Sequence, residues 1–265
     1  MEVHHHPEVH HKKKKFNEYF LEFIMIFLAV TLGFFAENLR EKIADSHREK
    51  EFAQQLYAEL KDDSIVAANI LVKRFDKEKD MDFLRSYFKD SSLIDLPKKF
   101  YPAFTTSLYL INSYAFEPKD GILSQLRNSG SIHYFRSVAL QKLIGDLSVS
   151  INNMRYRNEQ EYQFFASPIK AFMLQHFDFN WLDQIRNADK DPTMINVVKH
   201  YFQSNAFIKA NILNVSSLDR NETCNMIVFY KQMLISTQSL HFTNYINTNK
   251  KILQVLRENY SLENE

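Results

Sequence analysis

A single cysteine, Cys224, stands in these 265 residues, so no intrachain disulfide can staple the fold. Cys224 itself reads as a small buried hydrophobe inside a helix. Glycine and proline are scarce, at 4 and 6, against 23 phenylalanines and 13 tyrosines. So few turn-formers beside so many bulky apolar side chains point to long helices around an aromatic-rich core. Strand signals are weak, because runs of alternating β-branched residues bounded by turns are few. No sign of charge dominates either. The 33 basic and 32 acidic residues leave a net +1, which gives no electrostatic basis for a nucleic-acid partner. The motifs H-E-x-x-H, G-x-S-x-G, G-x-x-x-x-G-K and G-x-G-x-x-G are all missing. Neither an enzyme nor a bound cofactor is therefore expected. Asp62, Asp63, Asp80 and Asp82 read as solvated surface carboxylates.

What is present is one long apolar run. Residues 16–36, FNEYFLEFIMIFLAVTLGFFA, would rise about 31 Å as a helix, close to the hydrocarbon thickness of a bilayer. Residues 23–36 carry no charge, while Glu18, Tyr19 and Glu22 lie at the end that headgroups and water can reach. A cleaved signal peptide would end in small residues at A-x-A spacing, and Phe34 two positions before Ala36 fits that badly. A soluble core helix rarely shows such a stretch directly after Lys12, Lys13, Lys14 and Lys15. An uncleaved transmembrane helix is the expectation, behind a basic tail of residues 1–15.

The flanks set its orientation. Lys12 to Lys15 precede the span, and Arg40, Lys42, Arg48 and Lys50 follow it, so a simple Lys/Arg count ties. The lysines are contiguous, however, whereas the later basic residues alternate with Glu37, Glu41, Asp45, Glu49 and Glu51. This favours an N-terminus in the cytoplasm and a domain outside the inner membrane. Ala29 and Gly33, four apart on a face with Glu22 and Glu37, would let a second helix backbone approach closely. One small pair at that spacing also arises by chance. Glu22 is better explained by snorkelling to the interface than as an intramembrane ion site.

Behind the span, residues 38–90 are rich in Glu, Lys, Ala, Leu and Gln, with Leu39, Ile43, Phe52, Leu56, Leu60, Ile70 and Leu71 at mostly three- and four-residue steps. Residues 37–90 therefore read as a stalk and first domain helix. Uninterrupted, the segment would extend about 80 Å, and a kink or break near Asp62, Asp63 and Ser64 is expected. Residues 91–265 read as one antiparallel helical domain. A helix is expected over residues 104–116, a turn at Pro118-Lys119-Asp120-Gly121, and a short helix over 122–128 closed by Gly130. Ser129 or Ser131 would restart the chain into a long helix toward Phe165, and Pro168 would begin another through His176. Asp191-Pro192 reads as an N-cap with proline at the first helical position. Ser216 and Ser217 would cap a final helix lasting almost to Tyr260. The fold class is all-α.

Two stretches carry a family resemblance. The opening MEVHHHPEVHHKKKKFNEYFLEFIMIFLAVTLGFFAENLRE and the later FEPKDGILSQLRNSGSIHYFRS resemble an uncharacterised single-pass membrane protein family of the Bacteroidota. The second element is a helix ending in a Ser-Gly step, followed by a new helix. Together they cover about sixty residues of the chain. The resemblance implies a bacterial inner-membrane protein with an N-terminal anchor, and it implies no activity.

His4, His5, His6, His10 and His11 cluster ahead of the lysines. Imidazoles at this spacing can bind Zn, Ni or Cu ions; the competing reading is a flexible tail without a rigid scaffold, whose histidines bind metal only adventitiously. Glu2 with His5, and Glu8 with His11, match E-x-x-H by letter, away from the facing core helices a carboxylate-bridged metal site needs. Tyr101, Phe104, Tyr109, Tyr114 and Phe116, with Phe164, Phe165, Phe172, Phe177, Phe179 and Trp181, are expected to fill the core, because a Gly-poor helical bundle needs bulk between its helices, the alternative being an apolar pocket. The sequence thus leads to a membrane-anchored, non-enzymatic interaction or sensory protein. Its partners would be the lipid bilayer and either a second copy or an envelope protein. The alternative is an envelope protein binding a ligand in an aromatic pocket, or metal at the histidine tail.

Overall fold

The computed structural model describes residues 15–262, and among these no strand occurs. The fold is all-α. Helix α1, Phe16–Asp90, has 75 residues, and the chain divides into two compact units at Glu51 and Phe52, within that helix. Residues 37–90 fall on both sides of the division.

In the N-terminal unit, α1 contains an apolar stretch long enough to cross a membrane, and none of its most apolar window is buried. The Lys15 backbone N–H donates to Glu18 Oε2 at 3.2 Å, using one of the free donors at the helix start.

In the second unit, α1 runs without the break expected at residues 62–64. The reason lies in side-chain partners. Ser64 Oγ donates to the Leu60 carbonyl at 3.0 Å, staying within the helix. Asp63 is 1% exposed, contrary to the expected solvated carboxylate. It accepts hydrogen bonds from Tyr245 Oη at 2.6 Å and from the Lys119 backbone N–H at 2.9 Å. Buried α1 residues fall at Ala53, Leu56, Leu60, Asp63, Ala67, Arg74, Lys77, Met81, Leu84 and Phe88. They are spaced alternately three and four apart, with half-buried Ile70 filling the one gap. That is the stripe by which a helix packs against neighbours lying nearly along its axis.

Several local expectations are corrected by the structure. In place of one helix over 104–116, α2 (Phe100–Phe104) runs into a π turn, Thr105–Tyr109, and a 3-10 turn, Ile111–Tyr114. Helix α3, Gly121–Asn128, ends as expected at Gly130, whose φ of 70° is left-handed. The restart comes later than Ser129 or Ser131: Ser137 caps α4, Val138–Phe164, by accepting from the Leu140 N–H. Pro168 does not begin a helix. It sits inside a π turn, Phe165–Ile169, that joins α4 to α5, Lys170–His176; the wider turn accommodates the missing N–H. Helix α6 spans Phe179–Ala188. Helix α7, Met194–Gln203, starts after Thr193 and not at Pro192. The Asp191 carboxylate is instead used by the Thr193 N–H at 2.8 Å. Asp219, rather than Ser216 or Ser217, caps α8, Arg220–Ser236, through the Glu222 N–H. A third π turn, Thr237–Phe242, leads into α9, Thr243–Tyr260.

Three long stretches therefore dominate the second unit: α1 from Phe52, α4 with α5, and α8 with α9. Their directions follow from which residues meet. Arg74 pairs with Glu161 and Phe88 with Phe172, so α1 and α4–α5 are parallel. Asp63 meets Tyr245, Lys77 meets Tyr230, and the Phe88 carbonyl meets Arg220, so α8–α9 runs opposite to α1.

Two apolar clusters fill the unit. One gathers Leu56, Leu60, Phe116, Leu126, Phe135, Ile144, Phe242 and Tyr245. The other gathers Met81, Leu84, Phe88, Phe100, Phe104, Phe177 and Trp181 with the α7 and α8 side chains. Phe104 touches Phe88, Phe100, Phe172 and Phe177, at centroid distances of 5.1 to 5.9 Å. The aromatic excess is thus mostly core packing. Each such ring contributes about 1.5–3 kcal/mol by leaving water.

Candidate functional site

A layer of buried charge separates the two apolar clusters. Arg74 and Lys77 occupy core-facing positions of the α1 stripe between Ala67 and Met81, and Arg74 is 0% exposed. Its guanidinium meets the Glu161 carboxylate fork to fork: Nη2 donates to Oε1 at 2.7 Å and Nη1 to Oε2 at 3.2 Å. Nη1 also donates to the Tyr114 carbonyl at 3.0 Å. Thr237, in the third π turn, places its hydroxyl 2.7 Å from Glu161 Oε1. Arg74 Nε has no hydrogen-bond partner among the described residues. A bidentate pair with added donors recovers much of the several kcal/mol that burying each ion costs.

Among the described residues Lys77 has no such counter-ion. Its Nζ donates to Tyr230 Oη at 3.0 Å and lies over the Tyr114 and Tyr230 rings, 4.6 and 4.7 Å from their centroids. Burial pulls its pKa down to about 7, the Glu161 charge raising it and Arg74 lowering it further. Burial likewise pushes the Tyr114 and Tyr230 phenols well above the usual tyrosine range, so both keep their protons.

Lys77 and Tyr114 also line a cleft of about 510 Å³ between α1, the α2 region and α7. Lys73, Lys99, Lys199, Asp76 and Asp80 bring further charge to it, and Pro102, Ala103, Ile195, Val198 and Phe202 supply its apolar part. Asp80, expected to be solvated, is half-buried and accepts from Thr106 Oγ1 at 2.8 Å. Burial raises its pKa, and the Thr106 hydrogen bond opposes that. Asp62 and Asp82 are exposed as expected, Asp62 pairing with Lys119 at 2.9 Å and Asp82 with Lys231 at 2.6 Å.

The residues singled out from sequence fall elsewhere. His4, His5, His6, His10, His11, Lys12, Lys13 and Lys14 lie outside the described residues, and Lys15 is exposed. Ala29 and Gly33 are exposed on α1, and a Cβ at Gly33 would meet nothing within 4 Å. Cys224 is half-buried in α8, its thiol 3.4 Å from the Arg85 carbonyl. Among the described residues, no group of three or more His, Cys, Asp or Glu side chains is arranged to hold a metal ion. Of the aromatic set, Tyr114 is the member that lines the cleft. Arg74, Lys77, Glu161 and Tyr230 were not foreseen. The available signal was the three-four stripe of α1, which, extended past Leu60, passes through Asp63, Arg74 and Lys77. Charged residues at core-facing steps of a helix are the sequence mark of a buried polar layer.

No protein-family model matches the chain, and neither a curated protein nor a solved structure matches it.

Proposed function

We propose that this chain is a membrane-anchored, non-enzymatic interaction or sensory protein. Its N-terminus lies in the cytoplasm and its helical domain on the outer side of a bacterial inner membrane. The observation that carries this reading is the exposed apolar surface of residues 16–36. Ile26 is 65% exposed, Leu32 64% and Phe34 75%. In water each such side chain forgoes about 1.5–3 kcal/mol of burial, and a bilayer removes that penalty. The contiguous lysines at 12–15 support a cytoplasmic tail. The resemblance of the opening stretch to the Bacteroidota family supports a bacterial envelope. The absent catalytic motifs favour binding over chemistry. The exposed Ala29–Gly33 face suits a second copy of the same helix.

Two measurements test this. The chain is expected to stay with membranes through an alkaline carbonate wash, and a Leu28→Arg, Val30→Arg variant is expected to be released. Wild-type protein in the soluble fraction would sink the anchor. A reporter fused after Glu265 and active only outside the cytoplasm is expected to be active; silence from a well-expressed fusion would reverse the orientation.

A second reading, an envelope protein that binds a small ligand, is favoured by the lysine-lined cleft of the domain.

A further inference from the structure

We propose that the cleft between α1, the α2 region and α7 binds a small monocarboxylate with a short apolar tail, the Lys77 ammonium and the Tyr114 hydroxyl donating to its carboxylate. The inference concerns the second unit alone and holds whichever side of a membrane that unit occupies.

The argument begins with unused donors. An ammonium carries three N–H groups, and Lys77 spends one on Tyr230 Oη while aromatic faces cover part of the rest. Glu161, whose charge favours the protonated form of Lys77, is already committed to Arg74 and Thr237, and Lys77 makes no ion pair among the described residues. Tyr114 is 4% exposed, and its hydroxyl makes no hydrogen bond among the described residues, although its carbonyl does. Lys77 Nζ, whose one hydrogen-bond acceptor is Tyr230 Oη, and Tyr114 Oη, which has no partner among the described residues, thus border one cleft with donor capacity to spare.

Charge decides the class of acceptor. Lys73, Lys99 and Lys199 join Lys77 around the cleft against Asp76 and Asp80, so the lining is positive, but modestly. A monoanion matches the one uncompensated buried ammonium. A dianion such as sulfate would put its second charge against the two aspartates. Val198, Ala103 and Phe202 offer apolar surface to a short hydrocarbon tail. The cleft, at about 510 Å³, lies within the range of small-ligand sites.

A pH dependence follows. The charged and titratable groups facing Lys77 are Arg74 on its own helix, Tyr114 from the 3-10 turn, Glu161 from α4 and Tyr230 from α8; Asp76, Asp80 and the three rim lysines line the cleft beyond. A carboxylate beside Lys77 favours its protonated form. Binding therefore takes up a proton and weakens as pH rises through about 7.

The test is isothermal titration of butyrate into the full chain in lipid nanodiscs, with empty nanodiscs as reference, at pH 6 and pH 8. Saturable binding is expected at pH 6 and about tenfold weaker binding at pH 8. n-Butanol, which lacks the charge, and sulfate, a dianion at both pH values, are both expected to bind at least tenfold more weakly at pH 6. Lys77→Met is expected to abolish binding, and Tyr114→Phe, which keeps the ring over Lys77, to weaken it about tenfold. The proposal is overturned if butyrate gives no saturable heat at either pH, if sulfate binds more tightly, or if Lys77→Met binds like wild type. Should Lys77→Met fail to fold, unchanged affinity in Tyr114→Phe and in the exposed-site variant Lys99→Gln overturns it equally.

Discussion

Replacing Lys77 by methionine should stabilise the domain, and the gain should shrink as pH rises. In the unfolded chain Lys77 titrates near its ordinary value of 10.5, while in the fold burial lowers it to about 7. Between those values the unfolded state binds more protons, so this lysine makes stability rise with pH. Below pH 7 both states are protonated and the fold carries the full penalty of a buried ammonium. At about 1.4 kcal/mol per pH unit the penalty approaches 5 kcal/mol. Methionine fills a similar volume without charge but leaves the Tyr230 hydroxyl without its partner, which costs about 1–3 kcal/mol. The net expectation is a gain of about 2–4 kcal/mol at pH 6, smaller by about 2–3 kcal/mol at pH 9. Urea unfolding followed by the fluorescence of Trp181, the one tryptophan and 1% exposed, reads this directly. Other titrating groups are shared by the two proteins, so the difference between them isolates Lys77. A difference that stays constant from pH 6 to pH 9 would refute the burial of a poorly compensated lysine.

Glu161→Gln leaves the Arg74 guanidinium buried without its counter-ion. It should cost about 3–5 kcal/mol in the same unfolding assay, and Arg74→Met in that background should recover much of the loss. Asp63 has its pKa raised by burial against two hydrogen bonds that lower it. Its contribution is therefore greatest in acid and is lost as pH rises through the folded value. Asp63→Asn, which keeps an acceptor for Tyr245, should flatten that part of the pH–stability profile, and an unchanged profile would contradict the burial. Gly130→Ala, at a φ of 70°, should lower stability by about 1–2 kcal/mol. Loss of the Ser137 cap in Ser137→Ala should cost about 1 kcal/mol. Gly33→Leu should leave membrane retention intact and abolish crosslinked dimers in native membranes; dimers that persist would remove the Ala29–Gly33 face from the interaction.

The all-α class and the apolar run were legible because they are local. Scarce glycine and proline, good helix formers and a charge-free stretch act within a few residues of one another. Gly130 was legible for the same reason, since its left-handed conformation favours glycine whatever surrounds it. Local signals misled where two neighbouring groups competed for one role. Asp191 and Thr193, or Ser217 and Asp219, are comparable capping residues; Thr193 precedes α7 without a side-chain cap, and Asp219 caps α8. Pro168 looked like a helix start because proline removes a hydrogen bond, yet a π turn let the rod continue through it. The expected break at residues 62–64 failed because Asp63 found Tyr245, 182 residues away in sequence.

The sequence alone therefore determined that this chain is helical, that residues 16–36 form an apolar segment long enough for a bilayer, and that aromatic side chains build its core. Only the tertiary structure decided that Arg74 is neutralised by Glu161, that Lys77 has no counter-ion among the described residues, and that Lys77 and Tyr114 border one cleft. The physical reason is range. Helix propensity and apolar periodicity act over one or two turns, whereas the cost of burying a charge depends on which distant groups the packed helices bring beside it.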